Sequence, residues 1–173
     1  MAEYDLDFAC KLAEIANYVD GQNHWRHDAR RATVYLARLS MEIAMKAMLE
    51  LAGVPTPKIR ARSHDLHKLL MDLGKCEVET KAASGTMEFV NAANVRSVVI
   101  DLGLAHVPIG EIIDAESQGI SKYPHQIRYG SEVIDLDPGL VAEAALLLCK
   151  WAKAHWRSIR LSSAINMPAQ TSE

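Results

Sequence analysis

The sequence predicts an all-α protein, an up-and-down bundle of about five helices, and three observations lead there. Of its 173 residues 49% are hydrophobic but only 6% aromatic, with Ala, Leu, Ile and Met in place of β-branched alternation, a composition that suits helices packed on helices. Apolar residues recur three and four apart over long stretches, the spacing that lines one face of a helix. Helix stop and start signals punctuate those stretches, among them Gly53, Gly74 and Asp137-Pro138. The length fits one domain with a single core, residues 1–162, and the polar, small residues 163–173 read as a mobile tail.

From Leu6 to Val19, Leu6, Cys10, Ala13 and Asn17 share one line and Phe8, Leu12, Ile15 and Val19 a neighbouring one, so a first helix is predicted, ending near Gly21. Asp28 or Asn23 can cap a second and longest helix, which runs through Ala32, Leu36, Leu39 and Ile43 to about Ala52. Gly53 ends it, and Pro55 and Pro57 forbid its resumption. Ser63 sits where an N-cap belongs, with Asp65 in the first turn, so a short third helix from His64 to Leu73 should turn Leu66, Leu69, Leu70 and Leu73 inward. Val95, Val98, Val99 and Leu102 predict a fourth helix that ends near Gly103. Between His106 and Asp137 five Gly and Pro residues preclude another long helix, leaving a turn or two from Ile109 to Glu116 and an ordered loop from Tyr123 to Tyr129. Asp137-Pro138, a cap followed by a first-turn proline, opens the last helix through Val141, Leu148 and Ile159.

A net charge of -3 and a pI near 6.2 exclude a protein that coats nucleic acid through a global basic field, though local basic patches exist. One lies at Lys58 to Lys68. Three cysteines, Cys10, Cys76 and Cys149, are odd in number and form no CxxC pair, so they read as reduced thiols. The acidic start MAEYDLDF lacks a signal peptide's basic flank and apolar run, and no stretch is long enough to span a membrane, which points to a cytoplasmic address.

Chemistry concentrates in RLSMEIAMKAMLELAGVPTPKIRARSHDLHKLL, from Arg38 to Leu70. Arg38, Glu42 and Lys46 stand four apart and form a ladder of alternating charge in the favourable Glu-before-Lys order. It reads either as a solvated helix face or as the wall of a phosphate-binding groove, with Lys46 as point charge and Glu42 orienting it. Met41, Met45 and Met48 read as core or a helix-pairing surface. His64 beside Asp65 could move protons, or simply occupy a first-turn position.

Glu42, Lys46, Gly53 and His64-Asp65-Leu66, with Arg128-Tyr129 in the later stretch YPHQIRYG, resemble the HEPN domain family, "higher eukaryotes and prokaryotes nucleotide-binding". The likeness runs in helix order from about Phe8 to Ile159. It implies a nucleotide- or RNA-binding helical bundle that forms homodimers and works with a nucleotidyltransferase partner in a toxin-antitoxin or defence system, without a cofactor. Ribonuclease members of that family cleave RNA without metal, using an Arg followed four to six residues on by a His. Arg62 and Arg60 meet that spacing against His67, but before the third helix rather than in a later one. A metal-independent endoribonuclease is therefore the alternative, with Arg62 or Arg128 on phosphate and His64 or His67 as acid and base. A helical adaptor with no small-molecule site is a third reading.

Tyr123 to Gly130 combines a cation, Arg128, with a His and two aromatic faces, so His125, Arg128 and Tyr129 join Glu42 and Lys46 as candidates for binding a nucleotide or phosphate. The same residue types would serve to anchor a long loop. The pairs His24/His27 and His64/His67 have HxxH spacing, but two His under-coordinate zinc and no Glu-x-x-His accompanies them, so no metal site is predicted. Neither a Gly-rich phosphate loop nor a nucleophile elbow occurs, which leaves phosphate binding to side chains.

Overall fold

A computed structural model describes residues 2–23, 25–118, 127 and 136–162. The elements are α1 (Leu6–Asn23), α2 (His27–Leu51), α3 (Thr56–Arg60), α4 (Leu66–Leu73), β1 (Cys76–Lys81), β2 (Met87–Asn91), a 3-10 helix (Ala92–Ser97), β3 (Val99–Asp101), β4 (His106–Pro108), α5 (Ile109–Gln118), α6 (Pro138–His155) and β5 (Arg160–Leu161). The architecture is mixed α/β, with two antiparallel sheets added to the helices among the described residues, and not the all-α bundle predicted. The tail, residues 163–173, lies outside the described residues.

The three long helices α1, α2 and α6 pack on one another, and their contact faces are rich in alanine. Ala9, Ala13 and Ala16 of α1, Ala37 and Ala44 of α2, and Ala144 and Ala145 of α6 are all fully buried, so the helix axes can approach closely. Met41, Met45 and Met48 fill the remaining space as core residues. Ser40 Oγ donates to the Ala9 carbonyl at 2.7 Å, tying α2 to α1 inside the core. All three cysteines are buried and unpaired; burial pushes the Cys76 thiol up to about 11 and that of Cys149 up to about 12.

Side-chain caps open α1, α4 and α6, whereas α2 begins after Arg26 with no side-chain cap, so neither Asp28 nor Asn23 fills the place predicted for it. Asp5 accepts the Asp7 and Phe8 amides and starts α1, which runs through Gly21 rather than stopping there. Asp137 accepts the Gly139 and Leu140 amides ahead of Pro138, as its sequence foretold. The cap of α4 is Asp65, which accepts the Lys68 amide at 3.0 Å, and not Ser63. Ser63 instead takes a left-handed backbone conformation, φ 51°, that turns the chain ahead of the helix.

Where a fourth helix was predicted there is a 3-10 turn followed by strand β3. Ile100 is buried between exposed Val99 and Asp101, an alternation of period two, and Leu102 is exposed rather than part of an inward face. Upstream, Cys76 and Val78 face the core while Glu77 and Glu79 stand between them, the same period, and β1 pairs with β2 through a turn at Gly85, φ 85°. β5 adds to the other edge of β1, where the Ser162 amide donates to the Lys75 carbonyl at 2.9 Å. The strands other than β5 lie between α4 and α5. Gly110 lets α5 start against the 3-10 helix, since a Cβ there would sit 2.9 Å from that of Arg96 and 3.1 Å from its carbonyl oxygen.

Candidate functional site

One face of α2 carries Tyr35, Arg38, Leu39, Glu42 and Lys46, whose spacing keeps them on a single stripe. The charged members are not a solvated face: Arg38 is 4% exposed and Glu42 and Lys46 7% each. Lys46 Nζ donates to Glu42 Oε1 at 2.7 Å and lies 5.5 Å from the centre of the Tyr4 ring. The other oxygen of Glu42 lies 2.8 Å from His64 Nδ1. Since a carboxylate only accepts, Nδ1 carries the hydrogen and Nε2 is left as the chemically available ring nitrogen. The His64 side chain is half exposed, so its inner nitrogen is anchored while the ring reaches solvent.

Above this dyad is a cleft of about 260 Å³ lined by Tyr35, Arg38, Leu39, Glu42, His64, Leu66 and Ile127. Arg38 Nη1 donates to the backbone oxygen of Glu116 at 2.7 Å and to its Oε2 at 2.9 Å, a buried ion pair that ties α2 to α5. Ile127, from the middle of YPHQIRYG, packs on Val34 and Tyr35, and its carbonyl accepts from Arg31 Nη2 at 2.7 Å. His125, Arg128 and Tyr129 themselves lie outside the described residues.

Of the predicted site residues, Glu42, Lys46 and His64 therefore form one hydrogen-bonded chain. Arg62 and His67 engage separate carboxylates instead of meeting. Arg62 binds Asp72 with both Nε and Nη2, at 2.5 and 3.1 Å, and Lys75 Nζ reaches the same carboxylate at 2.6 Å. His67 Nδ1 lies 2.8 Å from Asp114 Oδ1, whose second oxygen takes the guanidinium of Arg96. Among the described residues no group of three or more metal-ligating side chains converges. Nor is any helix among them long and apolar enough to cross a membrane.

Asp72 and Asp114 are titration markers for this region. Burial would raise both, but hydrogen bonds and charge from Arg62 and Lys75 on Asp72, and from His67 and Arg96 on Asp114, outweigh it and hold both carboxyls below the ordinary value of 3.8. A carboxyl lowered by folding stabilises the native state above 3.8 and ceases to do so as pH falls through its folded value. Asp72→Asn should therefore be less stable than wild type at neutral pH, with the gap closing below pH 3.8. Urea titrations across that range would read it; a gap independent of pH would refute the ion-pair origin.

Reading the sequence missed Tyr35, Asp114 and Glu116. Tyr35 was findable, being three and seven residues before Arg38 and Glu42 on the same helical stripe. Nothing local marks Asp114 or Glu116: Asp114 has partners 18 and 47 residues away and Glu116 one 78 residues away. Comparison with protein-family models, with curated proteins and with solved structures returned no match for this chain.

Proposed function

We propose that the cleft between α2 and the start of α4 binds a nucleotide or RNA, in the manner the HEPN resemblance implies. The observation that carries the proposal is the convergence of Glu42 and His64, 22 residues apart in sequence, on one hydrogen-bonded chain with Lys46, the two of them lining a cleft that also presents Arg38 and Tyr35. Those residue types suit the ligand. Arg38 brings a positive charge to the cleft wall, the outer nitrogen of His64 can accept from a ribose hydroxyl, and the Tyr35 ring offers a face to a base. The cytoplasmic setting, the homodimer and the nucleotidyltransferase partner belong to the same proposal. Phe8, Ile15 and Tyr18, exposed along one side of α1, offer a face for self-association.

A thermal-shift series with nucleotides and short RNAs tests the binding claim. A ligand at a hundred times its dissociation constant should add about 2.7 kcal/mol of stability. The gain should disappear in Tyr35→Ala if the ring stacks on a base. No shift with any nucleotide or RNA would return the chain to the adaptor reading.

A second reading, metal-independent RNA cleavage, is favoured by the orientation of His64. A carboxylate on Nδ1 is how an imidazole is held for proton transfer at Nε2. Because Arg62 and His67 are occupied by separate carboxylates, this reading assigns proton transfer to His64 and not to the Arg62/His67 spacing.

A further inference from the structure

A second cavity, which shares no lining residue with the cleft, carries a charge surplus that the fold does not use. It measures about 250 Å³ and lies between the end of α2 and β5, walled by Val54, Pro55 and Leu161. Lys58, Arg62 and Lys75 reach it together with a single carboxylate, Asp72. Arg62 and Lys75 both spend that carboxylate, and among the described residues no ion pair engages Lys58. The pocket thus holds a surplus of two positive charges, which attracts an anion.

We propose that this cavity is an anion site for a phosphate group, carried by a free nucleotide or by a nucleic-acid backbone. With Nε and Nη2 of Arg62 held by Asp72, its Nη1 side is left to donate to a phosphate oxygen, and the two ammonium groups supply point charges for the rest. The volume is several times the roughly 30 Å³ share of one water, enough for a phosphate group. β5 completes the wall: Leu161 is positioned by its pairing with Cys76 and by the Ser162 amide on Lys75. Arg62 and His64 are two residues apart, so the loop between α3 and α4 carries a side chain into each cavity. A phosphate-bearing strand could contact both.

Amide chemical shifts of the full chain, titrated in parallel with inorganic phosphate, adenosine monophosphate and a short single-stranded RNA, test the site. The expected result is perturbation at Lys58, Arg62, Lys75 and Leu161 with inorganic phosphate. The binding should weaken about tenfold for each lysine removed in Lys58→Ala and Lys58→Ala/Lys75→Ala, the worth of one hydrogen bond to a charged group. Lys58→Glu, at an exposed position with no ion pair among the described residues, reads the same effect should the double variant fail to fold. A backbone source would show as tighter binding of RNA than of the mononucleotide, with a salt slope that falls by about 0.7 in Lys58→Ala. Equal affinities would assign a free nucleotide. Absence of perturbation with all three probes, or perturbation indifferent to Lys58→Glu, would overturn the site. Shifts confined to Tyr35, Leu39 and His64 would overturn it too while leaving the cleft proposal standing, and shifts confined to the second cavity would do the reverse.

Discussion

Glu42→Ala is expected to destabilise the protein by about 3–5 kcal/mol, because it strands a buried ammonium. Lys46 is 7% exposed, donates its hydrogen bond to Glu42 Oε1 at 2.7 Å, and otherwise has the Tyr4 ring at 5.5 Å. A surface ion pair between helix neighbours would be worth only a few tenths of a kcal/mol, so the size of the loss separates the two environments. Glu42→Leu combined with Lys46→Met, which removes both charges and keeps the volume, should recover most of it. Urea unfolding of the two singles and the double closes the cycle. A Glu42→Ala cost under about 1 kcal/mol would mean that the pair is solvated, and the site would lose its desolvated floor.

If the cleft cleaves RNA, His64→Ala should lower the rate about 10²–10⁴-fold, the range for loss of a general acid or base. The loss should be partly restored by added imidazole, since only the proton-transfer group is missing. Glu42→Gln keeps the shape but offers His64 an amide in place of a carboxylate, so it should lower the rate as well. His67→Ala is the control, because that ring is held by Asp114 and lines neither cavity. The assay uses purified protein and RNA in EDTA. Absence of cleavage by wild type, or equal loss in His64→Ala and His67→Ala, would remove the nuclease reading and leave binding to be judged by the thermal shifts.

The helices were legible because each is specified by neighbours on its own turn. Asp137-Pro138 announced α6, the stripe of Met41, Met45 and Met48 announced the buried face of α2, and Leu66, Leu69 and Leu70 that of α4. The strands were lost for a different reason. The Ala and Leu content of α1, α2 and α6 set the composition of the whole chain, and it masked the short two-residue alternations at Cys76/Val78 and around Ile100. Spacing within α2 also grouped Arg38 with Glu42, yet Arg38 forms its buried ion pair with Glu116 on another helix. Four-residue spacing brings side chains within reach of one another but does not say which partner wins.

By itself, the sequence determined the long helices, the end of α2 and the start of α6, and the residue types along one stripe of α2, because propensity, capping and periodicity act between near neighbours. Only the tertiary structure decided that this stripe is buried, that His64 swings back onto Glu42, that Arg62 and His67 part to different carboxylates, and that strands fill the middle of the chain. The physical reason is desolvation. Whether a charge faces water or another chain segment sets which partner it must take, and that depends on segments that no local pattern names.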